Sequence, residues 1–102
     1  MQGTLTKVKN LEKFIQKYGE DTIMSGTITK MVEYRLQKYH EQIKKLDGDL
    51  KKFEQTYKKN SSIFFKEFKK GSLEDNMDFI EWSSLYQMRN RLIEKKAGLE
   101  GI

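Results

Sequence analysis

Residues 27–59 read TITKMVEYRLQKYHEQIKKLDGDLKKFEQTYKK, and their apolar side chains recur alternately every four and every three positions. This is the heptad spacing of a helix that packs along a partner helix. At 1.5 Å per residue such a helix is roughly 50 Å long, which exceeds the width of a small domain. The pattern therefore predicts a long helix and a coiled-coil-like homodimer. The predicted dimer seam consists of Val32, Leu36, Tyr39, Ile43, Leu46, Leu50, Phe53 and Tyr57.

A turn signal lies inside this stretch, at Asp47-Gly48-Asp49. The heptad spacing nevertheless continues across it from Leu46 to Leu50. Gly48 falls on the outward face, where a glycine costs the helix about 1 kcal/mol without loss of packing. A continuous helix is therefore favoured, and a helical hairpin is the alternative.

Three shorter helices are predicted around the long one. Gly19 and Gly71 stand where helices characteristically end, and Ser61 or Ser62 can cap the start of the short third helix. Together the four helices are expected to form one all-α domain over residues 1–102. The predicted helices are 6–18, 27–59, 62–70 and 76–96.

The composition excludes several protein classes. Charged residues make up 34% of the chain and hydrophobic residues 36%, a balance typical of amphipathic helices. The absence of cysteine excludes a disulfide framework and a cysteine nucleophile. No apolar run reaches the roughly 18 residues of a membrane span, and the N-terminus lacks the apolar core of a signal peptide. We therefore expect a cytoplasmic protein without a membrane partner. No cofactor is expected either, because glycine-rich phosphate loops are absent.

Lysines cover one face of the long helix. Such a face can bind phosphates, because each lysine that neutralises a phosphate releases a counterion. The alternative is an ordinary solvated face, since lysine commonly fills the outer heptad positions. The net charge of +5 is compatible with both interpretations. The residues assigned to an anionic partner are Lys44, Lys45, Lys51 and Lys52.

Candidate catalytic and metal-binding groups are sparse. His40 is the only histidine, and no second ligand or nucleophile accompanies it. The acids Glu74, Asp75, Asp78 and Glu81 surround the start of the last helix, where carboxylates commonly complement the helix dipole. We therefore predict neither a metal site nor enzymatic activity.

Aromatic side chains are concentrated in the C-terminal half. They can form the core where three helices meet, or they can anchor a partner protein. Trp82, one turn into the last helix, is favoured as core. The residues assigned to a partner surface are Phe64, Phe65, Phe68, Phe79, Trp82 and Tyr86.

One set of residues in the C-terminal half resembles a known group of proteins. The set is Phe53-Glu54-x-x-Tyr57, then Ser61 or Ser62, Phe65, Phe68, Gly71 and Asp75-x-x-Asp78-Phe79-x-Glu81-Trp82. It is similar to small helical antitoxins of bacterial and archaeal type II toxin–antitoxin pairs. The resemblance implies a non-enzymatic antitoxin that neutralises a cognate toxin by direct binding. No ribbon-helix-helix or helix-turn-helix pattern accompanies it, so operator binding is not supported.

Two further functions stay open at the level of the sequence. The lysine face could serve a nucleic-acid-binding module, for which salt-dependent binding to arbitrary duplexes would be the evidence. The heptad seam could equally serve a structural coiled-coil adaptor. A stoichiometric complex with a toxin would favour the antitoxin.

Overall fold

The computed structural model describes residues 3–101, which form four α-helices and no strand. The helices are α1 (Thr4–Tyr18), α2 (Thr22–Tyr57), α3 (Ser61–Lys69) and α4 (Met77–Glu100). The all-α prediction and the long helix are confirmed, and α2 continues through Gly48, which is exposed. Within the described residues, no helix has the length and apolar character that a membrane crossing requires.

The long helix begins at Thr22 rather than at Thr27. The physical reason is a side-chain cap, in which Asp21 Oδ1 accepts a hydrogen bond of 2.8 Å from the backbone N–H of Met24. This bond satisfies one of the N–H groups that lack a partner in the first helical turn. The predicted start at residue 27 did not take this aspartate into account.

Asparagine side chains cap the two C-terminal helices. Asn60 accepts from the backbone N–H of Ile63 at 2.8 Å before α3, and Asn76 accepts from that of Asp78 at 2.8 Å before α4. Short polar side chains favour this position because they reach back to free backbone donors. Ser61, one of two serines expected to cap α3, is instead its first residue.

The chain divides into two compact parts, with the boundary inside α2 between Glu33 and Tyr34. The first part contains α1, which exposes apolar side chains such as Leu5 and Tyr18. The second part contains the remainder of α2 together with α3 and α4. The organisation as one domain remains a prediction.

The hydrophobic core of the second part joins three helices. Leu50 of α2, Phe64 of α3 and Trp82 of α4 are buried in contact with one another. Burial of each such side chain contributes roughly 1.5–3 kcal/mol, so this cluster fixes α3 and α4 against α2. The half-buried side chains that pack around it are Phe53, Tyr57, Phe65, Phe68, Leu73, Phe79, Leu85 and Tyr86.

Candidate functional site

A partly buried chain of hydrogen bonds connects the three helices beside the core. Glu54 Oε2 accepts hydrogen bonds of 2.8 Å from both the backbone N–H and the hydroxyl of Ser61. The same hydroxyl oxygen accepts a bond of 2.9 Å from Trp82 Nε1. Buried polar groups require such partners, because an unsatisfied donor or acceptor is destabilising. These three residues therefore have a structural role.

Two grooves are lined by residues of α2 and α4. The first, which we call the polar groove, carries Asp47, Lys51, Glu54 and Arg89. Its two acids and two bases balance in charge. Arg89 forms an ion pair with Asp47, and Glu54 is bound to Ser61. Little charge therefore remains in this groove for a ligand.

The second groove, which we call the basic groove, carries Lys45, Asp49, Arg91 and Lys95 above an apolar floor of leucines. Three of these side chains are cationic and one is a carboxylate. None of them takes part in the ion pairs found within residues 3–101. A cleft with one predominant sign of charge and apolar walls concentrates ions of the opposite sign. This groove is therefore the better site for an anionic ligand.

The two halves of the predicted dimer seam have different surroundings. Leu46 and Leu50 are buried within the chain, and Phe53 and Tyr57 pack around Trp82. Because these four seam residues already have partners in their own chain, they do not require a second copy. The homodimer remains a prediction. The half-buried N-terminal half of the seam consists of Val32, Leu36, Tyr39 and Ile43.

The aromatic residues assigned to a partner surface lie mostly in or around the core. Trp82 and Phe64 have almost no exposed surface, so a partner cannot reach them in the folded chain. Phe65 packs on Tyr86, with ring centroids 5.1 Å apart. The remaining two, Phe68 and Phe79, are half-buried.

The lysines assigned to an anionic partner are divided by the fold. Lys45 lines the basic groove and Lys51 lines the polar groove. Lys44 and Lys52 are exposed and line neither of these two grooves. His40 is also exposed, on α2 outside both.

Near the start of α4, as elsewhere in residues 3–101, no group of three or more acids or histidines is placed so that it could hold a metal ion. Asp78 instead accepts a hydrogen bond of 2.6 Å from the hydroxyl of Tyr57. This bond raises the pKa of Tyr57 above 10.0, with further contributions from burial and from the charge of Asp78.

Two residues of the basic groove were missed by the sequence interpretation, namely Arg91 and Lys95. They are four positions apart, so they lie on one face of α4. That spacing was visible in the sequence. Their position opposite Lys45 was not, because it depends on how α4 packs against α2.

The sequence as a whole matches one known family. A family model described as Ribonuclease HepT-like matches residues 4–96, which include α1, α2, α3 and most of α4. No curated protein and no solved structure shows a significant match to the chain.

This match contradicts the prediction of a non-enzymatic antitoxin, because the family is one of ribonucleases. The resemblance depended on residues that form the helical core, among them Phe53, Tyr57 and Trp82. A pattern of core residues identifies a fold, but it does not identify the activity of the protein. The prediction that the chain is not an enzyme is contradicted in the same way. That prediction rested on the lack of a recognisable local catalytic motif in the sequence. The chain belongs to the Ribonuclease HepT-like family.

Proposed function

We propose that the chain is a ribonuclease that binds and cleaves RNA in the basic groove. The observation that carries this proposal is the convergence of Lys45, Asp49, Arg91 and Lys95 on one groove. Phosphodiester cleavage needs cations that bind the phosphate and a carboxylate that accepts a proton, and this groove carries both kinds of group. The family match supports the reaction class.

Binding of RNA would depend on the three cations. Each lysine or arginine that contacts a phosphate releases a counterion, which favours binding at low salt. Arg91 can also contact two oxygens of one phosphate through its planar guanidinium group.

Cleavage would proceed by attack of a ribose 2′-hydroxyl on the adjacent phosphorus. Asp49 accepts the hydroxyl proton as the bond between the 2′-oxygen and phosphorus forms. The bond between phosphorus and the 5′-oxygen breaks, and one of the two groove ammonium groups donates a proton to that oxygen. Arg91 stabilises the negative charge that develops on the other phosphate oxygens. The products are a 2′,3′-cyclic phosphate and a free 5′-hydroxyl.

The biological role that we infer is that of the toxin in a toxin–antitoxin pair, acting on RNA in the cytoplasm. The ribonuclease family supports it, and so does the resemblance of the C-terminal half to proteins of such pairs. The partner is then the antitoxin protein that silences the nuclease.

The test is incubation of the purified chain with labelled single-stranded RNA, with product ends identified by mass spectrometry. Wild type should give products that end in a 2′,3′-cyclic phosphate. An oligonucleotide of the same sequence with 2′-deoxyribose at every position should resist cleavage, because it lacks the 2′-hydroxyl nucleophile. Asp49→Asn and Arg91→Gln should each lose about 100-fold or more in rate, the usual size of such catalytic contributions.

The matched control is Arg89→Gln, because Arg89 is an arginine of the same helix that is paired with Asp47 in the polar groove. This variant should retain cleavage. Absence of RNA cleavage by wild type would refute the proposal. Loss of activity in Arg89→Gln with full activity in Arg91→Gln would refute the assignment to the basic groove.

A further inference from the structure

We propose that the substrate is single-stranded RNA, and that the exposed ring of Tyr34 stacks on an unpaired base next to the phosphates held in the basic groove. This inference rests on the proposed function, because it extends the same site along α2. It assigns a binding role to a residue that no feature of the sequence pattern had singled out.

One face of α2 carries a line of three side chains, which we call the ridge: Tyr34, Lys38 and Lys45. The steps between them are four and seven residues, so at 3.6 residues per turn all three lie on one face of the helix. Lys45 also lines the basic groove. Tyr34 is about 16 Å from Lys45 along the helix axis, at 1.5 Å per residue. A few nucleotides of an extended strand cover that distance.

The ring of Tyr34 is available for stacking. Its side chain is 61% exposed, and the Lys38 ammonium lies 5.5 Å from its ring centroid. A cation at that distance holds the ring through a cation–π interaction and offers a ligand for the phosphate beside the stacked base. Aromatic rings interleaved with lysines are the arrangement with which proteins bind single strands, since every base has a face that can stack.

This arrangement favours a single strand over a duplex. In an RNA duplex the bases are stacked inside the helix, so an aromatic side chain cannot lie on a base face. Lys38 and Lys45 on the ridge favour a polyanion over an apolar protein surface. The ridge therefore fits RNA with unpaired bases.

The experiment is fluorescence anisotropy with the full chain and labelled RNA whose riboses are 2′-O-methylated, which prevents cleavage. The same oligonucleotide annealed to its complement serves as the duplex probe. Tyr34→Ala should lower affinity for the single strand by about 5- to 150-fold, the fold-change that corresponds to loss of one base–aromatic stack. Tyr34→Phe, which keeps the ring, should bind as wild type does. Duplex should bind more weakly, with no effect of Tyr34→Ala.

The matched control is Tyr18→Ala. Tyr18 of α1 is 67% exposed and has the Lys17 ammonium 5.2 Å from its ring centroid, so it reproduces the pair of Tyr34 and Lys38 outside the ridge. This variant should bind single-stranded RNA with unchanged affinity. An equal loss in both tyrosine variants would overturn the inference.

The remaining outcomes separate this inference from the proposed function. If Arg91→Gln weakens binding while Tyr34→Ala does not, RNA binds in the groove and the stacking role is wrong. If wild type binds no RNA at all, both are wrong. If Tyr34→Ala leaves RNA affinity unchanged but alters sedimentation, Tyr34 contacts protein, and the inference is again overturned.

Discussion

The indole ring of Trp82 lies parallel to the ring of Phe64, with centroids 3.8 Å apart and planes inclined by 3°. Trp82 belongs to α4 and Phe64 to α3, and both are almost completely buried. Phe53 of α2 also stacks with Trp82, at 5.6 Å. The tryptophan is therefore the residue through which the short helix and the long helix are held to α4.

Replacing Trp82 with alanine should lower the free energy of unfolding by about 3–5 kcal/mol, because a large buried side chain leaves a cavity. Urea denaturation followed by circular dichroism measures this change. Ile80→Ala is the control, since Ile80 lies in the same helix and is 54% exposed; its effect should be below about 1 kcal/mol. Similar losses in the two variants would contradict the central role of Trp82.

Replacing Ser61 with alanine should cost about 1–3 kcal/mol, because Trp82 Nε1 would lose its buried hydrogen-bond acceptor. Ser62→Ala is the matched control, since Ser62 is the adjacent serine and is exposed. It should leave the free energy of unfolding nearly unchanged. The prediction fails if the two serine variants unfold at the same urea concentration.

Local sequence signals predicted most of the helical architecture. The heptad spacing between Leu46 and Leu50 correctly indicated that α2 continues past Gly48, because an outward glycine removes no packing. Glycine at position 19 correctly marked the end of α1, where the backbone has a φ of 84°. Both features depend on residues within a few positions of one another.

The basic groove could not be predicted, because its residues come from two helices that are distant in sequence. The sequence pattern places Lys45 on a lysine face of the long helix, but it does not single out Arg91 or Lys95. The convergence of Lys45, Arg91 and Lys95 depends on how α2 and α4 pack, which also brings Leu46 and Leu85 into the lining of the same groove. The activity was misjudged for the same reason, since the local patterns described the scaffold.

The hydrogen bond between Tyr57 and Asp78 should make stability depend on alkaline pH. It raises the pKa of Tyr57 above its ordinary value of 10.0. The neutral hydroxyl therefore contributes stability that is fully present below pH 10.0 and is lost as the pH rises through the folded-state pKa. Tyr57→Phe should remove this alkaline loss, as measured by urea unfolding from neutral to strongly alkaline pH.

The control for this prediction is Asp78→Asn, which keeps an acceptor but removes the negative charge. Ultraviolet titration should then show a Tyr57 pKa closer to the ordinary value, because the charge of Asp78 is one of the causes of the rise. A constant difference in unfolding free energy between wild type and Tyr57→Phe at every pH would contradict the prediction.

The neighbouring lysines Lys44 and Lys45 should differ in their effect on RNA binding. Lys45 lines the basic groove and Lys44 does not. Each phosphate contact contributes about 0.7 to the slope of log affinity against log salt for a single strand. Lys45→Gln should therefore reduce the slope by about that amount, and Lys44→Gln should leave it unchanged. Anisotropy titrations at several salt concentrations measure the slope, and equal reductions would show a diffuse charge effect instead.

The last prediction concerns the N-terminal half of the heptad seam. We predict a homodimer that buries Val32, Leu36, Tyr39 and Ile43, since their half-buried surfaces lack the close core packing of Leu50. Ile43 follows Tyr34 by nine residues, about two and a half helical turns, so the two lie on opposite sides of α2. A dimer through Ile43 would therefore leave exposed the ridge of Tyr34, Lys38 and Lys45 that we propose binds RNA.

Ile43→Asp should convert this dimer to a monomer, because an unpaired carboxylate in an apolar interface carries a large desolvation cost. Analytical ultracentrifugation at high micromolar concentration measures the change. Lys44→Asp is the control, since Lys44 is adjacent and exposed, and it should remain dimeric. The new carboxylate at position 44 would lie outside the seam and stay hydrated. If the Lys44→Asp variant were also monomeric, the change in net charge would explain the dissociation of both variants. A wild-type protein that sediments as a monomer at that concentration would contradict the predicted dimer.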